Sequence, residues 1–193
     1  MTLQTQLWKG VCLKGALTLG MLTLLFPAFC QQDEDVARQE AFIQLFDKEV
    51  QNRAFALLSM SAISEKVTEE EDKTFYYGWV AFEEFLQGKY KPYADKHGLS
   101  QEPRSKAKAE AFFGELASDI LPKRKFYETM LDQTEDYLEK LKKLPGYATD
   151  EDLEFARFVV KQEEAQIQAI EHRIKGENQA AADVLADFIN SNQ

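Results

Sequence analysis

Apolar positions recur at intervals of three and four residues along most of this chain, the spacing that lines one face of a helix. Over residues 35–66, Phe42, Leu45, Phe46, Val50, Leu57 and Met60 make one such stripe. A second helix is predicted over 69–91, where Phe75, Trp79, Phe82, Leu86 and Tyr90 share a face. Its acidic start, EEED, suits the positive end of a helix dipole, and Pro92 is expected to stop it. Residues 92–122 read as a long connection with one short helix over 105–120. Pro122 fits the first turn of a third helix reaching residue 143, with Tyr127, Met130, Leu131, Tyr137, Leu138 and Leu141 inward. The turn LPGYATDED follows it, then a fourth helix over 149–175 that Gly176 breaks. ENQAAADVLADFI is the last helix, with Ala181, Val184, Leu185 and Phe188 inward. No stretch alternates with period two for long enough to make a strand, and no repeat of about 34 residues marks a solenoid. The pattern predicts an all-α fold: a four-helix bundle with a long crossover between helices 2 and 3 and an extra C-terminal helix.

The first thirty residues are patterned differently. MTLQTQLWKGVCLKG carries Lys9 and Lys14 and no acid, ALTLGMLTLLF is apolar, and PAFC follows. That is the order of a secretory signal, and the apolar run is short for a membrane span, which needs about 20 residues. Residues 1–30 are therefore expected to be a signal peptide and 31–193 a single exported domain, with the periplasm as its destination and no stable membrane span in the mature form. Ala28 and Cys30 supply small residues for cleavage after Cys30. The rival route makes Cys30 a lipidated first residue, but Pro27 and Phe29 stand where a lipobox wants leucine and a small residue. Cleavage after Cys30 removes both cysteines, so the mature domain has no thiolate chemistry. It also removes Lys9 and Lys14, moving the formal charge from −10 to −12. A domain so acidic, without a basic run, is a poor partner for nucleic acid or an anionic membrane.

The candidate chemistry lies in acids that face inward. Glu163 falls within the apolar stripe of the fourth helix, Glu49 lies one turn from Leu45 and Phe46, and Glu83 sits beside Trp79 and Leu86. Thr134 holds the corresponding place on the third helix, whereas Glu84 points to solvent, Glu164 lies toward one flank and His172 points away from the stripe. Buried carboxylates need compensation. One source is Arg53, a turn beyond Glu49, giving a buried polar network of Glu49, Arg53, Glu83, Thr134 and Glu163. The other is a cation such as iron or manganese held by Glu49, Glu83, Glu163 and Gln166. The chain offers no nucleophile elbow, no inward histidine to act as a base and no glycine-rich phosphate loop. Tyr76, Tyr77 and Phe85 fall outside a single face and suit contacts with the crossover, another partner or a second copy of the chain.

LFDKEVQNRAFALLSMSAIS and QEEAQIQAI resemble the first and fourth helices of the ferritin-like superfamily, of bacterioferritin and rubrerythrin type. The resemblance covers residues 35–175 in helix order and spacing. It implies metal-ligand positions at Glu49 and Glu163, but Gln166 stands where the family's Glu-x-x-His motif has histidine. On the second helix the chain offers Glu83-x-x-Leu86 or Glu84-x-x-Gln87, and Thr134 stands in place of the third helix's glutamate. His97 in a loop and His172 off the core face do not rebuild the motif. The expectation is an exported accessory bundle without a functional di-metal centre and without a cofactor, which binds a protein or small ligand or gives structural support. The alternative is a variant iron- or manganese-dependent oxidase or storage bundle.

Overall fold

Glycine and proline interrupt this chain rarely, so its helices run long and stop where a specific residue stops them. A computed structural model describes residues 26–104 and 123–193. Its helices are α1 (Phe26–Ser64), α2 (Glu70–Lys96), α3 (Lys123–Leu141), α4 (Leu144–Tyr147), α5 (Asp150–Ile174) and α6 (Asn178–Ser191). Among the described residues there is no strand, and no helix is long and apolar enough to cross a membrane. The chain divides into two units, Met1–Asp35 and Val36–Gln193, and the core belongs to the second. The short helix expected over 105–120, Pro122 and residues 1–25 lie outside the described residues.

Three boundaries differ from expectation, each for a local reason. Helix α1 begins at Phe26 rather than near residue 35; Pro27 sits in its first turn, where a missing N–H costs nothing. Helix α2 runs through Pro92 to Lys96. The ring of Tyr93 stacks on Phe155 with centroids 3.8 Å apart, and Ala94 is buried, so packing beyond the proline offsets the lost hydrogen bond. Two residues past its end, Gly98 with a φ of 66° turns the chain while the Leu99 N–H donates to the Ala94 carbonyl at 2.8 Å. The LPGY stretch, expected as a plain turn, makes the single turn α4 with Pro145 near its start.

Four of these helices supply most of the core, joined by Leu144 of α4 and by Ala181 and Leu185 of α6. Phe42, Phe46 and Val50 of α1 meet Phe75, Trp79, Phe82, Leu86 and Tyr90 of α2 and Phe155, Val159 and Ile170 of α5, all buried. Aromatic edges lock these layers, with Phe46 and Tyr90 both set against Phe155 at 5.3 and 5.1 Å. From α3 come Tyr127, Tyr137, Leu138 and Leu141, while Met130 and Leu131 are half-buried. Leu57, placed in the α1 stripe by spacing, is also only half-buried. Helix α6 packs on α2 and α5 through Ala181 and Leu185, with Val184 and Phe188 at the margin. The approach of α6 to α2 is close: a Cβ on Gly78 would stand 3.1 Å from the Cβ of Ala182. At one end Arg173 of α5 donates to Asp72 of α2 at 2.7 Å and lies over the Tyr127 ring at 4.9 Å. Tyr76, one of the aromatic residues outside the predicted stripe, is buried there with its hydroxyl bonded to that of Tyr127. Tyr77 is exposed and Phe85 half-buried.

Candidate functional site: a polar cluster inside the helices

Helical spacing sets every member of the cluster. Glu49 and Arg53 stand one turn apart on α1; Trp79, Glu83 and Tyr90 lie on one face of α2; Gln162, Glu163 and Gln166 lie on one face of α5. Each of these faces is otherwise apolar, so burying the stripes carries the polar residues inward with them. All eight side chains are buried, Glu49 completely.

Arg53 is the hub. Its Nε lies 3.0 Å from Glu49 Oε1, its Nη1 donates to Glu83 Oε1 at 3.1 Å, and its Nη2 lies 3.5 Å from Glu163 Oε2. One planar guanidinium thus bridges carboxyl groups from three helices, a use that suits its forked donors. Neutral donors reach the same carboxyl groups. Trp79 Nε1 donates to Glu83 at 2.9 Å, and the Tyr90 hydroxyl donates to Glu49 at 2.9 Å. The Gln162 amide donates to Glu49 at 3.1 Å and to Glu163 at 3.0 Å, and Gln166 donates to the Gln162 oxygen at 2.6 Å. The Tyr137 hydroxyl lies near enough to Glu49 to favour its charged form without an aligned hydrogen bond.

Three carboxyl groups share one cation, and that imbalance governs their titration. Burial pushes Glu49 up against the opposing pull of Arg53 and Tyr90. It pushes Glu83 up to about 7 and Glu163 up to about 8, with Arg53 again opposing the shift. Arg53 itself stays charged: burial works against it, but Glu83, Glu49 and Glu163 together hold it well above its ordinary value. Glu49 Oε2 and Glu83 Oε2 are buried and, among the described residues, accept no hydrogen bond.

The structure brings Glu49, Arg53, Glu83, Glu163 and Gln166 together and leaves Thr134 out. Thr134 is half-buried, and its hydroxyl bonds back to the Met130 carbonyl of its own helix at 2.8 Å. A half-buried threonine with that local acceptor has no need to reach inward. Sequence reasoning missed Gln162 and Tyr90 as members. The available signal was the amide pair Gln162 and Gln166, one turn apart beside a core-facing glutamate. His97, expected in a loop, has its ring packed against Phe42 and its Nε2 3.2 Å from Asp152. His172 bonds Glu177 at 2.6 Å at the surface. Cys30 lies within α1.

On one side the cluster reaches a cleft of about 350 Å³ between α1, α3 and α5, with Arg53, Glu163 and Gln166 on its floor and Lys48 and Lys140 among its lining. Among the described residues, no group of three or more histidine, cysteine, aspartate and glutamate side chains is arranged to hold a metal ion. No family model, no curated protein and no solved structure matches the chain.

Proposed function

We propose that the protein is an exported accessory bundle of ferritin-like type, working by binding or structural support, in which an arginine takes the place that a di-metal centre would fill. One observation carries this reading: Arg53 lies within 3.0–3.5 Å of Glu49, Glu83 and Glu163 at once. The fold family would imply iron or manganese at that position, and the residues present do not fit it. A guanidinium stands among the carboxylates, glutamine replaces histidine at 166, and a like charge so close would repel an entering cation. The four-helix bundle proper would consist of α1, α2, α3 and α5, with α6 as the extra C-terminal helix. The exported location follows from the N-terminal pattern of basic, apolar and small residues.

Elemental analysis tests the reading. The purified protein, incubated with excess ferrous or manganous ion and desalted, is expected to carry far less than one metal per chain. One or two equivalents, retained by the native chain and lost in Glu83→Gln, would establish the metal-binding alternative instead.

A further inference from the structure

The cleft between α1, α3 and α5 brings cationic, apolar and buried polar side chains together. Its inner wall holds Ser59, only 1% exposed, whose hydroxyl has no hydrogen-bond partner, not even the carbonyl a turn earlier on α1. A buried hydroxyl in that state has hydrogen-bonding capacity to spare. Met60, Met130 and Ile170 give the same wall an apolar strip. Lys48 and Lys140 are exposed lysines of this lining and form no ion pair among the described residues, a state that Lys66, Lys125, Lys143, Lys161 and Lys175 share elsewhere on the surface. The Lys48 ammonium instead lies 5.1 Å from the centre of the Tyr137 ring, another residue of the lining. In a chain of net charge −10, the charged side chains of this lining are three cations, Lys48, Arg53 and Lys140, against the single carboxyl of Glu163. A larger notch of about 460 Å³ beside Asp72 and Arg173 lacks this character, because those two groups already bond each other.

We propose that this cleft binds a small organic anion: a carboxylate held by Lys48 and Lys140, on an apolar body that lies along Met60, Met130 and Ile170 toward Ser59. A volume of about 350 Å³ is at the small end of ligand pockets and suits a ligand of about ten heavy atoms. Glu163 on the floor does not oppose this, since burial favours its neutral form and Arg53 stands beside it. The inference deepens the accessory-binding reading and rests on it for the claim that binding is the protein's work.

Trp79 lines the cleft, and Trp8→Phe leaves it the single tryptophan of the full chain, so its fluorescence reports occupancy. Octanoate, octanol and octylammonium are titrated in turn. Octanoate is expected to give a saturable change, with octanol and octylammonium about tenfold weaker or more. The double substitution Lys48→Glu, Lys140→Glu, at exposed positions, should weaken octanoate about tenfold and leave octanol unchanged. No saturable change below about 10 mM octanoate, equal affinity for octanol, or indifference to the charge reversal in a variant with native circular dichroism would each overturn the proposal. The comparison among ligands on the unreversed chain stands even if the double variant fails to fold. Octanoate binding by a chain that also retains metal would overturn the accessory reading and keep the cleft; neither metal nor octanoate bound would do the opposite.

Discussion

Replacing Arg53 by methionine removes the cation and keeps a flexible apolar stem of similar length. The three carboxyl side chains it serves are 0%, 0% and 3% exposed, so none can turn to solvent. The cluster must then hold about one more proton than before. Holding a glutamate neutral costs about 1.4 kcal/mol for each pH unit above its unfolded pKa of roughly 4.3. At pH 8 that is about 5 kcal/mol and at pH 5 about 1 kcal/mol; relief of Arg53's own burial trims the first toward 3–5 kcal/mol. Urea unfolding followed by circular dichroism at the two pH values reads both figures. The parent protein has a related profile. Glu83 and Glu163 have folded pKa values of about 7 and about 8, above their ordinary 4.5, so the folded state binds more protons between those limits. Their contribution is fullest near and below pH 4.5 and is lost as pH rises to 8. Asp152 has the opposite sign. Burial raises its pKa, but Lys96, Thr149 and His97 more than offset that, so its contribution is lost on acidification through its lowered pKa. Stability should therefore peak on the acid side of neutrality. An Arg53→Met loss below about 1 kcal/mol at pH 8, or an equal loss at both pH values, would refute the shared-cation reasoning.

Three other substitutions probe the frame around the cluster. Trp79→Ala removes a ring that is 2% exposed and the donor 2.9 Å from Glu83; urea unfolding should show a loss of about 3–5 kcal/mol, and less than about 1 would mean the face is not core. Arg173→Met removes the charged partner of buried Asp72 and withdraws the cation from the Tyr127 ring; the same measurement should give a loss of about 3 kcal/mol, and less than about 1 would mean the pair is not part of the frame. Gly78→Leu puts a side chain where a Cβ alone would meet Ala182 at 3.1 Å; hydrogen exchange of residues 178–191 should accelerate while α1 and α5 stay protected.

Much of this architecture is legible in spacing alone. The α2 stripe of Phe75, Trp79, Phe82, Leu86 and Tyr90 is buried throughout, because a 100° advance per residue leaves it no other face to present. The inward turn of Glu49, Glu83 and Glu163 follows from the same count. What spacing does not carry is competition between local and tertiary terms. Pro92 is a strong local stop, yet Tyr93 stacked on Phe155 and Ala94 in the core draw the helix past it. Thr134 sits at an inward angle, but its own helix supplies a carbonyl acceptor, a choice that periodicity does not encode. Gln162 joins Glu49 across 113 residues of sequence, a distance no local pattern spans.

The central claim is that Arg53 and its neighbours close the polar cluster without an ion. Thermal unfolding of the native chain and of Glu163→Gln, each with chelator and with saturating iron or manganese, tests it most directly. The account predicts that Glu163→Gln changes the melting temperature by the same amount in every condition, and that neither chelator nor metal moves the native value. A saturable rise with iron or manganese in the native chain, abolished in Glu163→Gln, would contradict it.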